Sequence, residues 1–189
     1  MLTSMHPGVF LGAAGEAQAP ENLTSAIAAA NVNKAIGLGA AATFRVKPPN
    51  SLNAVVQDTV TNIHRLGAEA PLPEVFLLIG DVPVPKGSIS ALRVFLNGKN
   101  PSLNTPLDDP SYVGTVSFFG DPNAQGEHAH KVSFLMDVRS NLGLLQDEGL
   151  LTSGSPLNVS ILPIDTQNPK HIQAGDMIKP GKIELVGLR

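Results

Sequence analysis

The chain has 189 residues, of which 42% are hydrophobic and 15% are charged, and its formal net charge is −3. This length fits one domain, and this apolar content builds a full core, so the composition excludes an intrinsically disordered protein. No basic cluster is longer than two residues, which argues against a nucleic-acid or anionic membrane surface. Since there is no cysteine, disulfides, zinc-thiolate sites and thiol nucleophiles are excluded as well.

The N-terminal region indicates no targeting segment. Residues 1–15 lack a basic stretch followed by a long apolar run, so no signal peptide is predicted. No stretch approaches the roughly 20 apolar residues that a membrane span requires. The compartment stays open, because secreted proteins can also lack disulfides.

Residues 1–40 are predicted to be an N-terminal arm or linker, rich in Ala and Gly. Asn22 is expected to cap a short helix that runs through Ala30, with Leu23 and Ile27 on one face. The small residues from Gly37 to Ala42 imitate a dinucleotide-binding glycine motif. They precede a strand, however, whereas the phosphate-binding motif follows a strand and opens a helix, so we interpret them as a flexible segment.

Residues 41–189 are predicted to form the folded domain. A short strand over Thr43–Lys47 is stopped by two prolines. Apolar residues between positions 51 and 67 then follow a helical spacing, which favours a helix, although the same stretch also has a strand-like content of Val, Thr and Ile. A short helical turn is expected over Asn141–Asp147.

Short apolar or alternating segments bounded by turn residues make up the rest of this domain. The cleanest period-two pattern lies in the fourth of these predicted strands: Val75–Ile79, Ala91–Leu96, Tyr112–Phe119, Lys131–Val138, Leu157–Leu162 and a last one around Ile183 and Leu185. About seven strands separated by turn signals, with 18 Gly and 16 Pro in the chain, predict an all-β protein. We expect an antiparallel, jelly-roll-like β-sandwich of seven to eight strands with one or two short helices.

The catalytic inventory is small. The sequence has no Gly-x-Ser-x-Gly elbow, His-Glu-x-x-His helix or Walker loop. Asp108, Asp109 and Asp121 have Pro110 and Pro122 as neighbours and are interpreted as turn residues rather than calcium ligands. Asn22 and Asn158 each begin an N-glycosylation sequon, and the second lies inside a predicted strand.

His128 and His130 are the candidate metal ligands. Residues two apart in a strand project to the same face, so both imidazoles can hold one ion. A usable site needs a third ligand from elsewhere, such as His64, His171 or Glu127. The alternative is that both histidines are ordinary polar residues at the end of a loop.

Phe118 and Phe119 are the candidate contact residues for a partner. Because they are adjacent, one is expected to point inward and the other outward. The outward ring is either a lone surface aromatic or an anchor that docks on a partner.

From about residue 43, the order of segments resembles the C-terminal domain of plant polyphenol oxidases and related tyrosinases, and it covers about three quarters of the chain. The family's domain begins with a basic strand that ends in proline, continues through two further strands and a PEYAGSF-like segment, and closes with a strand-plus-helix unit and two last strands. In the same order, the counterparts in this chain are Phe44–Pro48, Val75–Val82, Leu92–Asn97, Asp109–Val116, Val132–Leu151, Asn158–Pro163 and Lys182–Leu185. Molluscan haemocyanin units carry a similar sandwich after their copper domain.

The resemblance implies a domain without enzyme activity of its own. The family's copper pair needs six histidines borne on helices, and this chain has five in total. The implied role is to cover the copper cleft of a type-3 copper oxidase catalytic domain, in cis or in trans, or to assist its folding, with the copper held by that partner.

In such a lid, an apolar side chain takes the place of the substrate. The resemblance makes Tyr112, Phe118 and Phe119 the candidates for partner contact or blocking, and the loop from Gly120 to Gly126 a further source of contacts. Two alternatives remain open: a copper-delivery protein that uses His128 and His130, and a sandwich module that binds another partner or a glycan.

Overall fold

The computed structural model describes residues 23–47, 74–85, 87–119, 131–152, 155–168 and 175–188. These residues contain ten strands and one helix, in the order β1 (Leu23–Ala29), β2 (Ile36–Gly37), β3 (Ala42–Val46), β4 (Glu74–Pro83), β5 (Ala91–Leu96), β6 (Tyr112–Ser117), β7 (Lys131–Asp137), α1 (Arg139–Asp147), β8 (Leu157–Ile164), β9 (Met177–Ile178) and β10 (Lys182–Leu188). The prediction of an all-β fold with a short helix is therefore confirmed.

Two four-stranded antiparallel sheets form the sandwich. Sheet A has the strand order β1-β10-β4-β7, and sheet B has the order β3-β8-β5-β6. The two-residue strands β2 and β9 pair separately. Sheet neighbours such as β4 and β10 are far apart in sequence, so the pairing depends on long-range contacts.

Alternating apolar residues explain why the two sheets face one another. In sheet A, Leu77 and Ile79 of β4 lie beside Leu185 and Ile183 of β10, and all four are fully buried. Because successive side chains of a strand point to opposite faces, this places one apolar row of each strand in the core. Ile161 of β8 is also fully buried and belongs to the same core.

A second, smaller apolar cluster lies on the other side of sheet B. Ala91 and Phe95 of β5 are fully buried there with Leu162 and Ile164 of β8. The segment between β5 and β6 packs against this cluster through Leu103. Sheet B therefore has apolar contacts on both faces.

Helix α1 extends the predicted helical turn to nine residues. It packs into the core through Leu142 and Leu145, which are buried. The Asn141 side chain donates a hydrogen bond to the Tyr112 carbonyl at 2.8 Å, which ties the helix to the start of β6. The helix ends at Asp147, and Gly149 follows it with a φ of 67°, the left-handed conformation common after helices.

The predicted helix from Asn22 to Ala30 is wrong. Residues 23–29 form β1, which pairs antiparallel with β10, with two shifts in register. Local propensity in this Ala-rich segment is overridden by the main-chain hydrogen bonds that β10 offers. The helix predicted between residues 51 and 67 lies outside the described residues.

The bounds of the other predicted strands agree with the structure to within a few residues. Gly37 lies in β2, and Gly39 has a φ of 74° in the turn that leads to β3. The glycine motif therefore precedes a strand, as predicted. The strand predicted over Tyr112–Phe119 ends at Ser117. No described helix has the length and apolarity needed to cross a bilayer.

Candidate functional site

The two adjacent phenylalanines after β6 point in opposite directions. Phe118 packs against the core, and its ring meets the Phe134 ring edge-on at a centroid distance of 5.5 Å. Phe119 is 68% exposed. The prediction that one ring is inward and the other outward is therefore confirmed. The exposed Phe119 ring directly follows a residue that is packed against the core.

Tyr112 lies at the other end of β6 and is held by its neighbours. Its ring packs on Phe95 with a centroid distance of 5.6 Å. Its hydroxyl lies 2.7 Å from Thr115 Oγ1, within hydrogen-bonding distance. Five residues of strand, about 17 Å, separate Tyr112 from Ser117, so the structure does not bring Tyr112 together with Phe119.

The side of the sandwich where β6 and β7 lie is incompletely covered. Val132, Phe134 and Met136 of β7 are half-buried, although they pack against the core. Their cross-strand neighbours in β4, Val82, Ile79 and Leu77, are all fully buried. Side chains on the same face of the sheet are thus fully buried in β4 and only partly buried in the neighbouring strand β7.

Gly114 of β6 adjoins this row. A Cβ at position 114 would lie 3.0 Å from the terminal methyl carbon of Met136. The glycine therefore lets the flexible Met136 side chain lie against β6. We call Phe118, Phe119, Val132, Phe134 and Met136 the open edge.

An ion pair lies at the end of the open edge where α1 begins. Arg139 Nε donates to both carboxylate oxygens of Asp137 at 3.0 Å, and the Arg139 backbone N–H donates to Oδ1 at the same distance. Partial burial by itself raises the pKa of Asp137, but the hydrogen bonds and charge of Arg139 outweigh it, so the pKa lies below its ordinary value. Asp137 is therefore ionised at neutral pH.

The candidate metal ligands His128 and His130 lie outside the described residues, as do His64, His171 and Glu127. Among the residues that the structure describes, no group of three His, Cys, Asp or Glu side chains could hold a metal ion. The described residues thus do not fit a copper centre.

A polar groove of about 190 Å³ lies beside the segment between β5 and β6, with Lys99, Ser102, Asn104, Thr105 and Asp109 in its lining. Its polar groups largely bind one another. Asp109 Oδ1 accepts hydrogen bonds from the backbone N–H and hydroxyl of Ser111, and Thr105 Oγ1 accepts one from the Ser102 N–H at 2.8 Å. These contacts explain the turn role that the sequence predicts for Asp109.

The sequon at Asn158 is integrated into the fold. Asn158 lies in β8, and its backbone N–H donates to Asn97 Oδ1 at 2.8 Å. Ser160 is fully buried, with its hydroxyl 2.8 Å from Thr43 Oγ1. The Asn-Val-Ser segment therefore lies within the paired strand β8, between β3 and β5.

Sequence reasoning missed Phe134 and Met136 as members of the open edge. Their alternation with Ser133 and Leu135 predicted strand β7 and one shared face. It did not predict that the strand lies at the edge of a sheet, because pairing partners are distant in sequence. The charges of Lys131 and Asp137 at the two strand ends are the available sequence signal, since edge strands often carry charges.

No family model matches the sequence. Among solved structures, the chain is similar to latent aurone synthase (polyphenol oxidase) from its natural source, with a TM-score of 0.49 and 19% identity over 83% of this chain and 26% of that chain. The recombinantly expressed latent aurone synthase has a TM-score of 0.48 with the same identity and coverage. The chain spans about a quarter of the length of the solved structures that it matches.

Proposed function

We propose that this chain is a non-catalytic domain that shields the copper site of a tyrosinase-like type-3 copper oxidase, in cis or in trans, or assists its folding. The sequence segments that resemble the C-terminal domain of polyphenol oxidases support the proposal, because they coincide with consecutive elements of one sandwich. The segment from Val132 to Leu151, for example, contains β7 and α1.

The observation that carries the proposal is the exposed ring of Phe119. A phenyl ring in water is costly, and transferring one to an apolar cleft contributes about 1.5–3 kcal/mol. Phe118 and Phe134 fix the chain just before it, so docking the Phe119 ring requires little ordering of the backbone that precedes it. Such a preordered aromatic is typical of residues that dominate an interface.

Phe119 is a better blocking residue than the other two candidates for a geometric reason. Tyr112 and Phe118 already pack against Phe95 and Phe134, respectively. Inserting either ring into a copper cleft would first break those contacts. Phe119 can enter a partner without cost to this core.

The test is inhibition of a separately prepared, active tyrosinase by the isolated chain. We expect the chain to slow phenol oxidation, and Phe119→Ala to raise the inhibitor concentration needed by about tenfold or more. Leu107→Ala is the matched control, because Leu107 is 60% exposed and lies in the segment between β5 and β6. Absence of inhibition at every concentration, or an equal loss in both variants, would overturn the shielding role.

Folding assistance has a separate readout. If the chain acts during folding, its coexpression with the catalytic domain increases the yield of copper-loaded oxidase even where the finished enzyme is not inhibited. An unchanged yield together with no inhibition rejects both forms of the proposal.

Copper is proposed to belong to the oxidase partner and not to this chain. After incubation with copper and removal of the excess, we expect the isolated chain to retain less than one equivalent. Stoichiometric binding that disappears in a His128→Ala/His130→Ala variant would instead favour copper delivery.

A further inference from the structure

Among the residues that the structure describes, strand β7 has a pairing partner on one side only. In the described part of the chain it pairs with β4, while β6 belongs to the other sheet. The Val138 N–H donates to the Val75 carbonyl at 3.3 Å, and the same register pairs Met136 with Leu77. Since hydrogen-bonded pairs alternate in an antiparallel ladder, the even-numbered residues point their backbone groups at β4. The backbone groups of Lys131, Ser133, Leu135 and Asp137 point outward.

The other three sheet edges are less regular than β7. Strand β1 pairs with two shifts in register, and β3 is bridged at Val46 by Ala30. The pairing of β6 with β5 shifts between Val94 and Phe95. In the β4–β7 ladder the one extra residue belongs to β4, so β7 itself runs through seven residues without a bulge or a proline. Edges of this kind pair readily with another strand.

The residues of β7 are complementary to a second copy of β7. When two copies run antiparallel with Phe134 opposite Phe134, Lys131 faces Asp137 of the second copy, and Ser133 faces Leu135. The two-fold axis repeats both pairs. The outward backbone groups then form the hydrogen-bonded pairs, and opposite charges meet at both ends.

The same arrangement explains the partial burial of the open edge. Val132 would face Met136 of the second copy on the inner side of the sheet, with the Phe134 rings between these pairs. These three side chains are half-buried in one copy. Two cores would become continuous through a sheet of twice the width, which covers apolar surface that one copy leaves partly in water.

We propose that β7 is a self-association edge, through which two copies of this chain form a dimer in antiparallel register with Phe134 on the two-fold axis. The dimer does not depend on the proposed shielding role. It is measured on the isolated chain without an oxidase, so its failure and that of the shielding role are distinguishable.

The register is tested by cysteine crosslinking, for which a chain without native cysteine is well suited. Residues that face one another in a non-hydrogen-bonded pair have Cα atoms about 4.5 Å apart, within the disulfide range of roughly 4.4–6.8 Å. We expect Phe134→Cys to form a covalent dimer under mild oxidation. Met136→Cys is the control, since its two copies would lie about 13 Å apart along the strands. Equal crosslinking of both variants would overturn the register.

Sedimentation of the unsubstituted chain tests association itself. We expect a concentration-dependent dimer that Lys131→Glu weakens about tenfold, because like charges then face one another at both ends. Lys131→Arg should preserve it. Leu135→Pro removes one outward N–H without touching the bonds to β4, and should abolish the dimer while circular dichroism stays that of a β protein. An unsubstituted chain that stays monomeric from low to high micromolar concentration would overturn the proposal.

Discussion

The two sides of the sandwich differ in how completely the core is closed. On the side of β1 and β3, Ala30 donates its N–H to the Ile183 carbonyl at 2.9 Å and bridges to Val46, which is fully buried. The Lys34 ammonium lies 5.5 Å from the centre of the Phe44 ring and covers this side further. On the side of β6 and β7, the inner row of Val132, Phe134 and Met136 is half-buried.

This difference indicates that closure is not needed for the sandwich to form. The fully buried rows of β4, β10 and β8 provide a core even though the side of β6 and β7 is only partly covered. An open side with a regular strand edge is therefore better explained as a surface for association than as a requirement of folding. Measurements of stability and of its pH dependence can test how far the two sides differ.

The largest expected effect is a difference in stability between two variants of one cross-strand pair, Leu77 in the closed interior and Met136 in the open edge. Leu77→Ala should lower the free energy of unfolding by about 2–5 kcal/mol, because Leu77 is fully buried and leaves a cavity. Met136→Ala, at the position opposite, should cost about 1 kcal/mol, because part of its side chain is already in water. Urea unfolding at a concentration where the chain is monomeric measures both. Equal losses would mean that the open edge is as well packed as the interior.

The next comparison separates the two phenylalanines after β6. Phe118→Ala should cost about 1–3 kcal/mol, since it loses the contact with Phe134 and part of its core packing. Phe119→Ala should change stability by less than about 0.5 kcal/mol, because its ring is mostly exposed. Thermal unfolding of the two variants, side by side, is the measurement. A loss at Phe119 as large as that at Phe118 would show that its ring is structural, and would remove the basis for its role in docking.

Sequence alone predicted most strands, because their alternation is local. Residues 131–137 show it best: the period-two pattern placed Val132, Phe134 and Met136 on one face, and the structure agrees. The sequence could not predict that this face is left open, since that depends on which strand lies beside β7. For Asn22–Ala30 the local signal was weak and the distant partner β10 decided the outcome.

For the candidate contact residues, too, the sequence predicted local features but not contacts between distant segments. The opposite directions of Phe118 and Phe119 follow from adjacency along the chain and were predicted. The packing of Tyr112 on Phe95 and its hydroxyl contact with Thr115 depend on the cluster outside sheet B, for which the sequence pattern gave no signal.

A smaller effect is expected from two glycines, one on each side. Gly39 has a φ of 74° in the turn before β3. Gly39→Ala should lower the free energy of unfolding by about 1 kcal/mol, because residues with a side chain disfavour this conformation. Gly114→Ala should instead stabilise the protein by about 0.5 kcal/mol, since alanine restricts the unfolded chain. Its new methyl group meets the flexible end of Met136, which can move because the open edge is not tightly packed. Denaturant midpoints decide the sign, and a destabilised Gly114→Ala would mean that this edge is rigid.

The smallest effect concerns pH and the ion pair between β7 and α1. Arg139 lowers the pKa of Asp137 in the folded state, so the pair stabilises the fold fully above the ordinary carboxyl pKa of 3.8 and loses its contribution as the pH falls through the lower folded value. The Asp137 side chain is 39% exposed, and solvent screening therefore limits the effect to at most about 1 kcal/mol. Urea unfolding at neutral pH and at pH values below the ordinary carboxyl pKa should show Asp137→Asn losing stability at neutral pH and converging with the unsubstituted chain in acid. A variant that differs by the same amount at both pH values would show that Asp137 acts by its shape and hydrogen bonds rather than by its charge. In that case the attraction between the Asp137 carboxylate and Lys131 of a second copy would also contribute less to the proposed dimer than opposite charges in facing positions imply.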